Sequence, residues 1–346
     1  MKNERLKKVF AHTFSPKAVT LYIIVAIYAA TAGLLYSGAA SRQFSNMLIS
    51  VSSYVVLAIS LNLVVGFLGE LSLGHAGFMS VGLFSGCMFS IATQDALPLI
   101  VRMPVSMLIG GLAAAIVGLL VGLPALRLKG DYLAIVTLAC GEIINNIITN
   151  LDVTGGALGL NTSSIRSNSK TLLPYAIVLV LITAIVMINI ENSRHGRAIM
   201  AIRDNRIAAE AMGINVTYYK LLVFVLAAFF AGMAGVLYGH SLANVKAASF
   251  DYNKSIEILV IVVLGGMGSV RGSVVAAIVL RALPEVLRID GFSDYRMLLY
   301  AVLLIVIMLC NANPKFAEMK GRWNIKTLYR AVTGKLGKEK EASDNG

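Results

Sequence analysis

The side chains able to do chemistry in this sequence are few, and most of them stand inside apolar runs. Glu142, Asn145, Asn146 and Thr149 recur at helical spacing within YLAIVTLACGEIINNIIT, and Glu70 and His75 stand in GELSLGHAGF between two apolar stretches. Carboxylates, amides and an imidazole in such surroundings suit the handling of a polar solute. Polar groups at membrane depth face a cavity or a protein partner, not hydrocarbon. Hydrogen bonding between helices, a purely structural use, is the alternative for each of them.

Residue sets for making or breaking bonds are missing. His12, His75, His195 and His240 are far apart, and none belongs to the H-E-x-x-H pair of a metalloprotease. Cys87, Cys140 and Cys310 are scattered in apolar runs without metal-ligand spacing and read as small core residues. The run Gly82-Leu83-Phe84-Ser85-Gly86 sets its first glycine one residue too far for the Gly-x-Ser-Gly of an intramembrane serine protease. GGMGSVRG (265–272) lacks the third glycine of a dinucleotide fingerprint. Gly334-Lys335 and Gly337-Lys338 have neither the upstream glycine nor the Ser/Thr of a phosphate-binding loop. The chain is expected not to be an enzyme, to hold no metal or cofactor and to hydrolyse no ATP itself.

The elements that must position these residues follow from composition. A hydrophobic fraction of 57%, a charged fraction of 14% and a mean hydropathy of +0.77 describe a polytopic membrane protein. At ~20 apolar residues per crossing, the chain supplies about ten spans or re-entrant segments: an all-α membrane bundle at 18–311. It is flanked by basic ends at 1–17 and 312–346. The net charge of +12 is explained by where the charges fall, and nucleic-acid binding is the poorer reading. Segments assigned to the inside carry 21 Lys and Arg, those outside carry 8, and Arg281 lies within a span. Both termini and the loop 193–220 are therefore expected to be cytoplasmic.

The first span, 18–36, comes after a basic stretch and is expected to be a retained anchor, not a cleaved signal peptide. The second covers 46–68. Gly69, Gly74 and Gly77 loosen the backbone between it and a third apolar run ending near Thr93, which suits a broken or re-entrant helix lining a cavity or meeting another subunit. A short interfacial turn with His75 snorkelling to water is the alternative. Further spans are expected at 103–126, 132–148, 172–190, 221–238, 256–264, 273–287 and 297–309, with 150–170 as the long outside loop. Arg281 and Glu285, four residues apart, are expected to pair on one helix face.

The polar interruption at 193–220 has a structure of its own. Asp204 or Asn205 is placed to cap a short helix, Gly213 to end it in the left-handed conformation, and Ile207, Ala208, Ala211 and Met212 to form one small apolar face. Such a face, outside the membrane, suits docking into a groove on another protein. A solvated loop with an accidental helix is the alternative.

Ile207-Ala208-Ala209, followed after three intervening residues by Gly213, resembles the ATPase-docking loop of ATP-binding-cassette (ABC) importer permeases. Ile207 stands where that motif has an acidic residue, and the closing Leu-Pro is absent. LSLGHAGF (71–78), TGGALGL (154–160), RAIMAIRDNRIAAEAMGI (197–214) and GGMGSVRGSVVAA (265–277), in this order, resemble the permease of high-affinity branched-chain amino-acid ABC importers. The resemblance covers roughly 50–311, and Ser273 departs from the proline often found there. It implies a multi-pass subunit of the bacterial inner membrane that pairs with a second, homologous permease. Two ATPase subunits would bind the ATP, and an extracytoplasmic binding protein would deliver leucine, isoleucine or valine. Relatives of this type carry urea, short amides or nucleosides. The coupling loop would be Asp204, Ile207, Ala208, Ala209, Ala211, Met212 and Gly213, and the translocation path would include Glu70, His75, Glu142, Asn145 and Asn146. A stand-alone secondary transporter or channel is the competing class, and it leaves the capped helix without a purpose.

Overall fold

The computed structural model describes residues 42–128 and 130–286, with scattered positions at 28, 31, 33, 298, 301, 302, 305 and 309. The expected spans at 18–36 and 297–309, both basic ends and the placement of the termini fall almost wholly outside these residues. The chain divides after Glu285 into two compact units, and nearly all the described residues belong to the first.

Helix α1, Arg42–Asn62, runs on into a π-helical turn, Leu63–Leu68. After it come α2 (His75–Ala92), α3 (Leu99–Ala125), α4 (Asp131–Asn150) and α5 (Ser169–Asn192). Two short helices, α6 (Arg194–Asp204) and α7 (Arg206–Ala211), precede α8 (Val216–Gly239), α9 (Tyr252–Gly265) and α10 (Val270–Val286). Six helices among the described residues are long and apolar enough to cross a membrane: Phe44–Leu68, His75–Ala92, Leu99–Ala125, Asp131–Asn150, Ser169–Asn192 and Val216–Gly239. They occupy the places expected for the second to seventh spans. Helices α9 and α10, of 14 and 17 residues, stand at the expected eighth and ninth.

The first apolar helix is the axis of the unit. Its membrane-length stretch is 94% buried, against 39% and 33% for α3 and α4. A helix apolar on every side belongs in a core, and the serines of α1 do not disturb this. Ser52 and Ser53 donate to the carbonyls of Leu48 and Ile49, and Ser60 to that of Leu57, at 2.7–3.1 Å. Helices α2, α3 and α8 then meet backbone to backbone. A Cβ on Gly82 would lie 2.2 Å from the Gly232 Cα, and one on Gly110 would lie 2.5 Å from the Gly82 carbonyl oxygen. Small residues give apolar helices this close approach, which is how they gain packing when no hydrophobic drive separates them from lipid. The outward rows of α3 and α4, including Leu112, Ile116, Leu120, Ile135, Ile143 and Ile147, remain exposed.

One departure from an all-α fold lies at the end of the bundle opposite α6 and α7. Leu160–Asn161 pairs antiparallel with Asn244–Val245, with Leu160 opposite Val245 and Asn161 opposite Asn244. This pins the loop 150–168 to the segment after α8. Gly159 has a φ of +87°, and a Cβ there would lie 2.5 Å from the Val245 carbonyl oxygen. The glycines of TGGALGL thus let the two loops touch.

Candidate functional site

The arm made by α6 and α7 is built from local signals. Ser193 starts α6 by accepting from the Gly196 N–H at 3.1 Å, and Ile199 and Ile202 bury that helix against the bundle. Asn205 starts α7 by accepting from the Ala208 N–H at 3.1 Å. Asp204, the other expected cap, instead accepts from its neighbour Arg203, whose Nε and Nη2 lie 3.1 and 3.0 Å from one carboxylate oxygen. Gly213, at a φ of +81°, closes α7, with the Ile214 N–H donating to the Ala209 carbonyl at 3.1 Å. Ile207 and Met212 are 80% and 82% exposed, and Ala208 and Ala211 are exposed beside them. Ala209, grouped with these by motif, is buried against the bundle instead. A six-residue helix places a branched and a flexible apolar side chain in solvent, held by caps at both ends.

The glycine-rich break between α1 and α2 turns into the bundle beside this arm. Its donors find partners on other helices: the Leu73 N–H donates to the Thr137 hydroxyl at 3.0 Å, and the Ala76 N–H to the Ser255 hydroxyl at 3.1 Å. A helix interrupted away from water needs such partners for its freed backbone groups. His75 is 2% exposed, with Nε2 2.9 Å from the Ser60 hydroxyl oxygen. The same hydroxyl lies 3.0 Å from the Leu57 carbonyl, so the ring, the hydroxyl and that carbonyl form one buried cluster. The interfacial turn with His75 reaching water is therefore wrong: the ring joins α2 to α1. Glu70 forms an ion pair with Lys220 of α8, with side-chain exposures of 15% and 4%.

The polar stripe of α4 divides between two faces. Asn145 is buried, and its amide oxygen has no hydrogen-bond partner among the described residues. Glu142 is half-buried and its carboxylate has none, whereas Asn146 is exposed and bonds back to the Glu142 carbonyl at 2.9 Å. Asn145 thus turns into the bundle, while Asn146 stands on the face that the described helices leave uncovered. Spacings of three and four residues sweep across a helix face, and α4 buries only one side. Glu70 and His75 are taken up by Lys220 and Ser60, so the five expected path residues do not form one cluster. Among the described residues, no group of three or more His, Cys, Asp or Glu could hold a metal ion.

Several charged contacts are not evident from spacing alone. Arg203 donates through Nη1 to the Gly66 carbonyl at 3.1 Å, and the Gly268 N–H donates to the Asn62 amide oxygen at 2.8 Å. Arg281 lies 3.5 Å from Glu257, donates to the Ser50 hydroxyl at 3.0 Å and faces the Tyr54 ring at 4.5 Å. The side chain of Glu285, its expected partner, lies outside the described residues. At the opposite end His240 is fully buried. Its Nδ1 donates to the Val236 carbonyl and its Nε2 accepts from the Ser90 hydroxyl, both at 2.9 Å. His240 stands just after the last residue of α8, and its pKa is held down at about 4. Burial is the main cause, the Val236 carbonyl opposes it and the Arg102 charge adds a smaller downward push. The available sequence signal for the Glu70–Lys220 pair was opposite charges at the ends of two apolar runs.

An almost wholly buried apolar axis, further membrane-length helices and a polar arm projecting at one end define a multi-pass helical membrane protein. The chain belongs to the family of permease components of branched-chain amino acid transport systems, whose profile matches residues 43–308. The high-affinity branched-chain amino acid transport system permease proteins LivM of Salmonella typhimurium and Escherichia coli are each 33% identical to it over 291 residues. Those matches cover 74% of this chain and 66% of theirs. The ribose import permease protein RbsC of Haemophilus influenzae is 25% identical over 281 residues, 77% of this chain and 84% of its own. The chain spans about two thirds of the length of the LivM relatives. No solved structure matches it.

Proposed function

We propose that this chain is a membrane-spanning permease subunit of an ATP-driven importer, and that α7 is the element its ATPase grips. In this reading it pairs with a second, homologous permease in the inner membrane, above two ATPase subunits that bind the ATP. A binding protein on the other side delivers the solute. Branched-chain amino acids are the favoured cargo, since the family description and the LivM relatives carry that name. Ribose, named for the more distant relative, is the competing small polar solute. Asn145 and Glu142, polar groups without side-chain partners among the described residues, line the path in this reading. Both termini, the glycine turn 265–272 and the arm lie in the cytoplasm, and the loop 150–170 lies outside.

The observation that carries the proposal is the capped helix whose apolar face, Ile207, Ala208, Ala211 and Met212, stands free in solvent. A secondary transporter or channel gives that face nothing to do. Ala208→Glu and Ala211→Arg keep good helix propensity and change only the face. Each is expected to insert normally, to lose the co-purifying ATPase and to lose leucine uptake, because a buried unpaired charge costs several kcal/mol. Arg206→Ala is the control: its pair with Glu210, at 3.0 Å, is solvent-exposed and contributes ~0.5 kcal/mol. Normal uptake with the ATPase still bound in Ala208→Glu would show that α7 is not the element the ATPase grips.

A further inference from the structure

The six residues Leu63–Leu68 are the point where the arm, the end of α1 and the glycine turn between α9 and α10 meet. The π turn frees carbonyls at a helix end, and Gly66 presents one of them to Arg203 at 3.1 Å. A guanidinium there is also favoured by the negative end of the helix dipole. Asp204 occupies Nε and Nη2 of the same guanidinium, so the fork is held with Nη1 aimed at Gly66. On the other side, Asn62 accepts from the Gly268 N–H at 2.8 Å. The parts are in contact: a Cβ on Gly66 would lie 2.0 Å from the Asn62 amide oxygen and 2.2 Å from the Gly268 nitrogen. One on Gly69 would lie 2.6 Å from Cγ of Arg203.

We propose that Arg203 is a positioning residue for coupling: it fastens the arm to the π turn and, through Asn62, to the glycine turn of the second half. This rests on the reading of α7 as the ATPase grip. Arg203 stands in the last turn of α6, two residues before the Asn205 cap of α7. A displacement of α7 therefore moves the guanidinium directly. The Gly66 carbonyl and Asn62 move too because they are tied to it and to Gly268. The helix ends at 62–70 and 265–272 then shift with the arm as one body, and the π turn is where α1 bends to allow it.

The test uses the complete complex, with its ATPase subunits and binding protein, in proteoliposomes with radiolabelled leucine as the probe. Arg203→Met removes the tie, and Arg203→Lys keeps the charge but cannot span both Asp204 and Gly66. Both variants should keep the ATPase subunits bound and hydrolysing ATP, while leucine moved per ATP falls about tenfold. An unchanged ratio in Arg203→Met overturns the inference. Should Arg203→Met fail to assemble, spin labels at Arg197 on α6 and Met267 in the glycine turn, both exposed, report on Arg203→Lys. Wild type should show one narrow distance with and without ATP, and Arg203→Lys should broaden it. A narrow distance in both proteins overturns the inference. If Ala208→Glu releases the ATPase while the Arg203 variants transport normally, this inference alone fails. If Ala208→Glu leaves the ATPase bound and transporting, the docking reading falls as well.

Discussion

Lys220→Met isolates the energetics of the contact between α8 and the break after α1. Methionine keeps the length and apolar stem of lysine, so packing changes little, but Glu70 loses its partner in a place where its side chain is 15% exposed. Removing one member of a buried pair costs about 3–5 kcal/mol, mostly the penalty of an uncompensated charge. The exposed edge of Glu70 lets water relieve part of that, so about 3 kcal/mol is the expected loss. For a chain of this size it corresponds to a Tm lower by roughly 4 °C. Glu70→Gln combined with Lys220→Met removes both charges and should recover most of the loss, because apolar or neutral replacements of a buried pair are often close to neutral. The assay is thermal unfolding of the purified protein in nanodiscs, run on both singles and the double at fixed scan rate, since unfolding of membrane proteins is commonly irreversible. Additive effects, with the double as low as the sum of the singles, would show that the two charges do not interact and refute the reasoning.

Three other outcomes are expected. In a background lacking Cys87, Cys140 and Cys310, a cysteine at Ser164 should react with an impermeant reagent from outside intact cells and one at Asn205 should not; both positions are exposed, so equal labelling would reverse the orientation. Glu142→Leu should reduce leucine uptake at matched expression more than Glu142→Gln, which keeps shape and hydrogen bonding; full transport in Glu142→Leu would make the residue structural. His240 has a folded pKa of about 4, below the ordinary 6.5, so its neutral form stabilises the fold above 6.5 and that stability is lost as pH falls towards 4. Between pH 7 and pH 5 the loss should be about 2 kcal/mol, read as a drop in Tm that His240→Gln abolishes; an equal drop in His240→Gln assigns it to other groups.

What was legible in the sequence was whatever depends on local chemistry. Asn205 and Gly213 bound a helix because a cap and a left-handed terminator act within a few residues of where they stand. The break at Gly69–Gly74 was legible because glycines and polar side chains interrupt an apolar run. Partners across the bundle were not. The i,i+4 rule offers Arg281 only Glu285, whose side chain lies outside the described residues, whereas Glu257 from α9 and Ser50 and Tyr54 from α1 meet Arg281 in a way that only the helix packing decides. The α4 stripe shows the same limit. Spacing places Glu142, Asn145 and Asn146 near one another on a helix, but it does not say which arc of that helix the neighbours cover, and the covered arc ends between Asn145 and Asn146.

The same distinction explains why the π turn is silent in the sequence and why it matters. LVVGFL is apolar throughout and carries no breaker besides Gly66, so nothing in it announces a widened turn. Its cause is tertiary. Gly268 and Asn62 occupy the space beside Gly66, leaving no room for a Cβ, and Arg203 accounts for the carbonyl that the turn presents. Three segments far apart in sequence therefore specify one local geometry, and each of them lies within a stretch that carries the family resemblance or directly before it. A sequence motif at 197–214 whose outer face is free and whose inner end holds the π turn has two separate reasons for its composition. Substitutions on Ile207 or Ala208 should affect partner retention, and substitutions at Arg203 should affect only the yield of transport per ATP. A variant library across 197–214 scored for both quantities would resolve the two groups, and a single correlated loss across all positions would show that the arm has one role.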